Sequence, residues 1–178
     1  MASIDESGKM RWLLAGQQLL RTGGIRSVKI DALVAETGLT TGSFYHHFAN
    51  VAAFRVELAE FYGSVQVGAT LATLDDEAPV ERIRRLVRIA RDDELHPLDA
   101  AMRDWAGSDP IAADAVRSLD ATLLEHLADA FRALGHDERG ARIRAALLFA
   151  SGVARVHLPW SIDDPTDDVL AILARPDS

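Results

Sequence analysis

The chain has 178 residues and is 48% hydrophobic, enough for a sizeable core in one medium domain or in a small head with a larger body. It has no cysteine, which excludes disulfides, thiol catalysis and Cys-based zinc sites, and no apolar run approaches the roughly 20 residues of a membrane span. The net charge of −8 is unevenly spread: residues 1–50 carry five basic and four acidic side chains, and residues 51–178 carry fourteen and twenty-three.

The N-terminus, MASIDESGKM, is polar and unlike a signal peptide, and with the absence of cysteine it suggests a cytoplasmic protein. All six prolines lie at or after position 79, so residues 1–78 can form helices without a proline break. No stretch alternates with period two, and the chain reads as all-α, with about nine helices. Helix 1 is predicted over 8–22, with Trp12, Leu13, Gly16, Leu19 and Leu20 on one face and Gly23-Gly24 ending it. Helix 2 is predicted over 29–36, with Ile30, Leu33 and Val34 inward, and Gly38 takes the turn. Helix 3 follows over 40–46 with Thr40 as its N-cap, and Phe44 and Phe48 are expected to pack back on helices 1 and 2.

Helix 4 is predicted over 50–73, capped by Asn50, with Phe54, Leu58, Phe61, Val65 and Leu71 along one side. Pro79, Pro97, Pro110 and Pro165 are expected near helix starts, giving helices over 79–92, 97–106, 110–134 and 139–158 and a short one near 165–175. The seventh carries Val116, Leu119, Leu123, Leu127, Phe131 and Leu134 in a stripe. The eighth carries Ile143, Leu147, Ala150 and Ala154, edged by Ala146, Ser151 and Gly152. These two stripes fit a helical hairpin that completes a four-helix bundle with a second copy. The expected dimer interface is therefore Leu119, Leu123, Leu127, Phe131, Ile143, Leu147, Ala150 and Ala154.

The stretch from Lys29 to Phe48, KIDALVAETGLTTGSFYHHF, is two short amphipathic segments split by a glycine turn. The second segment carries hydroxyls, an aromatic and imidazoles, as suits a helix presented to a DNA major groove. A helical hairpin that merely packs is the plainer alternative. This stretch resembles the helix-turn-helix of TetR-family transcription regulators, most specifically in its ending GSFYHHF, and the resemblance extends over about 50 residues. It implies a three-helix DNA-binding head over 1–50 and a ligand-binding and dimerisation body over 51–178. It also implies a homodimer on a palindromic double-stranded operator, with a small-molecule effector that releases it. Thr40, Thr41, Gly42 and Ser43 would meet bases and phosphates at the start of the recognition helix. The resemblance gives Tyr45 the family's DNA-facing role on phosphate and sugar. His46 and His47 would reach bases or phosphate, and Lys29 phosphate. The sequence departs from the family in three places: Lys29 replaces a capping Ser or Thr, Thr41 is neutral, and Val51 stands where a phosphate-binding lysine is frequent. Operator affinity is expected to be modest.

A ligand pocket is expected among Phe61, Tyr62, Leu86, His96, Met102, Trp105 and His126, each also a plain core candidate. With Arg103, His96 and His126 as its few polar groups, the effector is expected to be largely apolar. The arginines at 82, 84, 85, 88 and 91 are read as a solvated face paired with Glu81, Asp92, Asp93 and Glu94. Adjacent His46 and His47 point about 100° apart on a helix and do not chelate one ion, so no metal and no cofactor are expected. No nucleophile elbow, phosphate loop or HExxH pair is present, which argues against an enzyme. The competing readings are a helical small-molecule-binding or interaction protein of the same fold with weak DNA affinity, and a transcriptional activator in place of a repressor.

Overall fold

The computed structural model describes residues 4–74, 77–90, 95–157 and 166–175, and these form nine α-helices and no strand. They are α1 (Ile4–Gly23), α2 (Ile30–Thr37), α3 (Thr41–His47), α4 (Val51–Ala72), α5 (Pro79–Ala90), α6 (Leu95–Ala106), α7 (Pro110–Ala133), α8 (Glu138–His157) and α9 (Thr166–Leu173). A 3₁₀ turn, Ile25–Ser27, links α1 to α2. The helices match the sequence expectation closely, with α1 starting one turn earlier. Pro79 and Pro110 open α5 and α7 as expected. Pro97 is instead the third residue of α6, where a missing N–H still costs nothing because the first turn has no intrahelical acceptor to satisfy. Pro165 lies outside the described residues.

The chain divides into two compact units. The first combines residues 1–67 with 97–117, and the second 68–96 with 118–178.

Within the first unit, α1 packs on α2 and α3, and α2 on α3. Trp12, Leu20, Leu33, Phe44, Phe54 and Leu58 are fully buried. Phe44 is the hub: Trp12 meets it edge-on at 5.4 Å, Phe48 lies at 5.2 Å and Phe54 at 5.6 Å. Phe48 and Phe54 meet edge-on at 4.9 Å, a favourable quadrupole arrangement. Phe44 thus meets Trp12 of α1 and Phe54 of α4, so α4 joins the α1 and α2 against which α3 was expected to pack and does pack. Burying four such rings is worth several kcal/mol at roughly 25 cal/mol per Å². Gly16 lets α1 and α4 come this close, since a Cβ there would sit 2.7 Å from Phe54 Cζ and 3.1 Å from Leu58 Cδ1. Leu71 is buried as the α4 pattern implied, and the Val65 side chain lies outside the described residues.

The second unit is an α7–α8 hairpin with α5 and α9. Gly135, at φ 97°, makes the turn, and Asp137 caps α8 by accepting from the Gly140 N–H at 2.6 Å. Arg132 pairs with Asp129, Glu125 and Glu138, and those hydrogen bonds, Asp129 foremost, raise its pKa. Arg144 closes the C-terminus of α9 through Leu173 O at 2.9 Å. On α5, Arg84 pairs with Glu81 as expected, while Arg85 takes Glu77. Asp92, Asp93, Glu94 and Arg91 lie outside the described residues. The α8 face turned inward is Ala141, Ala145 and Leu148, while Ile143 and Leu147 are 50% and 56% exposed.

We expect Gly16→Ala to destabilise the chain by roughly 1–3 kcal/mol through overpacking against Phe54, outweighing the helix-propensity gain of about 1 kcal/mol. Chemical denaturation checks this, and a stabilised variant would show that α1 and α4 have room to spare.

Candidate nucleic-acid interface

The segment 29–48 folds as two helices around a left-handed glycine. Gly38, at φ 68°, ends α2, and its N–H bonds Val34 O. Thr37 fastens the turn twice, donating its hydroxyl to Leu33 O at 2.8 Å and accepting from the Leu39 N–H at 3.2 Å. Arg11 of α1 donates to Thr37 O at 2.9 Å, placing a cation at the carbonyl end of α2. Thr40 caps α3, its hydroxyl accepting from the Ser43 N–H at 3.2 Å. Asn50 caps α4 through the Ala53 N–H at 2.9 Å. Both caps stand where the sequence pattern puts them.

Phe44 turns inward from α3, and this sets what turns outward. Thr40, Thr41, Gly42, Tyr45 and His46 are exposed, and Ser43 and His47 half-exposed. Tyr45, 54% exposed, leans edge-on against Phe44 at 5.5 Å, so its ring is steadied while its hydroxyl end stays in water. His46 and His47 have ring centroids 5.1 Å apart. His47 is more enclosed than the sequence suggested. Its ring lies against α1 at Gly8, where a Cβ would come within 2.9 Å of Nε2, and edge-on to Phe48 at 6.1 Å. The signal for that was Gly8 itself, a residue of poor helix propensity early in α1. Lys9 ties the same corner together, pairing with Glu57 and lying 5.9 Å above the Phe48 ring. Lys29 is exposed and is the N-cap residue of α2, with no side-chain cap bond. The surface therefore offers hydroxyls, a phenol, two imidazoles and a lysine on one short helix and the start of its partner. Such groups bond base edges and phosphates.

Residues 13–58 match the family model described as "Bacterial regulatory proteins, tetR family". Over these residues the chain carries a TetR-family helix-turn-helix domain. Among solved structures, a TetR-family transcriptional regulator from Agrobacterium tumefaciens is 18% identical with a TM-score of 0.73, covering 96% of this chain and 97% of that one. A TetR transcriptional regulator from Legionella pneumophila is 14% identical with a TM-score of 0.75, covering 97% and 96%. The regulatory protein TetR from Rhodobacter sphaeroides is 23% identical with a TM-score of 0.67, covering 93% and 96%. At these identities the likeness beyond residue 58 is one of fold alone. No curated protein matches the chain by sequence.

The other sequence-derived sites fall as follows. Phe61, Tyr62, Met102 and Trp105 are buried in the first unit. Leu86, His96 and His126 belong to the second, with Leu86 buried and the histidines half-exposed. The Tyr62 hydroxyl donates to Asp99, whose other oxygen accepts from Arg103 Nε at 2.9 Å, an α4–α6 link that sequence spacing alone did not disclose. His126 Nδ1 lies 2.9 Å from Thr122 O. Leu119, Leu127 and Phe131 are buried within the single chain and Leu123 is half-buried, whereas Ile143, Leu147, Ala150 and Ala154 are exposed. Among the described residues, no group of three or more His, Asp or Glu is placed to hold a metal ion, and no helix is long and apolar enough to cross a membrane.

Thr40→Ala removes the α3 cap and is expected to cost about 1 kcal/mol. Amide exchange at Ser43 should accelerate, while Thr40→Ser should retain protection. Unchanged exchange in the alanine variant would mean that the cap does not hold α3.

Proposed function

We propose that this chain is a DNA-binding regulator of the TetR family, a homodimeric repressor working in the cytoplasm and released from a palindromic operator by a small molecule. The observation that carries the DNA-binding part is the outward face of α3. A buried phenylalanine fixes that helix while Thr41, Tyr45 and His46 stay in water, and Lys29 stands beside it on α2. Exposed polar groups on a helix held this rigidly suit base and phosphate contact better than they suit packing. In this reading Lys29, Thr40, Thr41, Gly42, Ser43, Tyr45, His46 and His47 form the DNA face, with residues 1–50 as the head and 51–178 as the body. Because its hydroxyl already serves the α3 cap, Thr40 contributes to DNA mainly by holding the helix.

The dimer reading rests on α8. Ile143 and Leu147 are large, apolar and half-exposed, with Ala150 and Ala154 continuing the exposed row toward the C-terminus. An apolar row of this kind favours a partner helix. Leu119, Leu127 and Phe131 are already used in the chain's own core, so the proposed interface centres on α8. Two heads then span half-sites about 34–36 Å apart. The effector is proposed to be largely apolar, since Phe61, Met102 and Trp105 supply hydrocarbon within the first unit.

Selection of the purified protein on random double-stranded DNA at near-physiological salt tests the reading. A palindromic motif with half-sites one helical turn apart is expected. Enrichment of no motif by a folded dimer would instead favour a ligand-binding protein with weak DNA affinity, the reading to which Val51 in place of a phosphate-binding lysine points.

On the recovered operator, Tyr45→Phe combined with His47→Ala should weaken binding by about tenfold or more, the scale of losing one good polar contact. The lost packing of His47 on Gly8 and Phe48 should lower melting modestly while unfolding stays cooperative, and unchanged affinity would remove α3 from the DNA face. Leu147→Glu should yield a monomer by sedimentation at micromolar concentration and lose tight operator binding. An intact dimer would move the interface off α8.

A further inference from the structure

Arg55, in the second turn of α4, is an unusual resident of the first unit. Its Nη2 donates to Val28 O at 3.3 Å and Ile25 O at 3.5 Å, reaching back to the segment between α1 and α2. Its Nε is buried and has no hydrogen-bond partner. Among the described residues no carboxylate pairs with it, and the nearby acid on the same helix, Glu57, is engaged by Lys9. A guanidinium half withdrawn from water without a counter-ion is electrostatically unfavourable, and leucine or methionine would fill such a site at lower cost. Trp12 Nε1 and Gln17 Nε2 are also buried in this unit without a partner, but both are neutral, and a charged side chain so placed points to function rather than stability.

The two carbonyls show what that function is. Ile25 O closes the 3₁₀ turn by accepting from the Val28 N–H at 3.2 Å. Val28 is fully buried and directly precedes Lys29, the N-cap of α2. Lys29 has extended backbone, φ −130° and ψ 154°, and gives α2 no side-chain cap. The placing of the first turn of α2 therefore falls to the backbone before it, and Arg55 is the α4 side chain that holds that backbone. Both bonds are long, so the attraction is mainly that of a full charge for two carbonyl dipoles.

We propose that Arg55 is a positioning residue for DNA binding: from α4 it sets the start of α2, and so holds Lys29 where its ammonium meets a phosphate. Arg55 acts through Lys29 and does not itself touch DNA. This rests on the reading of Lys29 as a phosphate contact. The charge that neighbouring position 51 lacks makes the placement of Lys29 matter more.

The test is a mutant cycle on the full-length protein, with the operator recovered by selection and affinity measured across a salt series. Lys29→Ala should lower the magnitude of the salt slope by about one, the signature of one lost phosphate contact. Arg55→Leu should lower it by the same amount and weaken binding about five- to tenfold. The Lys29→Ala, Arg55→Leu double variant should match Lys29→Ala alone, and Arg55→Lys, which keeps the charge, should recover most of the loss. A double variant whose slope falls by about two would mean that Arg55 contacts phosphate directly, and overturns the proposal. A wild-type slope in Arg55→Leu, with losses that add to those of Lys29→Ala, would reduce Arg55 to a structural brace. Should Arg55→Leu fail to melt cooperatively, Arg55→Gln, which keeps a donor without the charge, should show the reduced slope, and a wild-type slope there overturns the proposal. Wild-type protein whose binding does not depend on Lys29 would instead remove the underlying reading of Lys29, a result separable from all of these.

Discussion

The rest of the head depends on Phe44 lying inside the angle between α1 and α4. A helix of seven residues has too few hydrogen bonds to persist alone, since nucleation costs more than so short a run returns. Its stability has to come from tertiary packing, and Phe44 provides it through edge and tilted contacts with Trp12, Phe48 and Phe54. One inward side chain fixes the rotation of the whole helix, because positions 100° either side of it are then turned away. Tyr45 and Ser43 face outward as a consequence. The chemistry of the exposed face of α3 is in this sense a by-product of where one aromatic ring is buried.

That packing in turn requires a close crossing. Phe54 reaches the cluster only because Gly16 presents bare backbone to it. Gly8 has the same role one corner away, where the ring of His47 lies against α1. Both glycines sit inside a helix that would hold better with alanine, so each gives up local propensity for contact across helices. The first unit uses close contact where a larger core would use more side chains. Three of its cations also tie joints: Lys9 on Glu57, Arg11 on the end of α2, Arg55 on the turn before α2. Residues 1–50 carry only five cations against four acids, so general attraction for a polyanion is weak and the direction in which each group points matters more.

Local chemistry in this chain is legible from the sequence, and long-range pairing much less so. Thr40, Asn50 and Gly38 announce their roles through rules that operate within four residues, and each does in the fold what its type requires. The apolar stripe of α4 is legible for the same reason. What the pattern did not disclose is which stripe faces which partner. Ile143, Leu147, Ala150 and Ala154 read as one apolar row, as do Leu119, Leu127 and Phe131, and periodicity alone ranks them equally. The fold separates them: the α7 row is interior, while α8 turns Ala141, Ala145 and Leu148 inward and leaves Ile143 and Leu147 outside. Small residues on an inward face allow close helix approach, which a count of hydrophobic positions does not register. The Tyr62–Asp99–Arg103 link and the reach of Arg55 to Val28 span 27 residues or more in their long-range contacts, beyond the range of any spacing rule.

These long-range polar links share a feature that bears on how a regulator of this architecture can work. Within the first unit α4 is joined to the α1–α2 turn by Arg55, to α1 by Glu57 and Phe54, and to α6 by Tyr62. All four attachments fall within the first twelve residues of the helix, on two adjoining turns and the one after. Such a helix cannot shift along its axis without lengthening several contacts at once, and packed interiors resist that because they are close to their optimum density. Long hydrogen bonds to carbonyl dipoles, such as those of Arg55, tolerate a few tenths of an ångström better than packed rings do. The α1–α2 turn is therefore the joint held by the longest of these polar contacts, and Lys29 follows it directly.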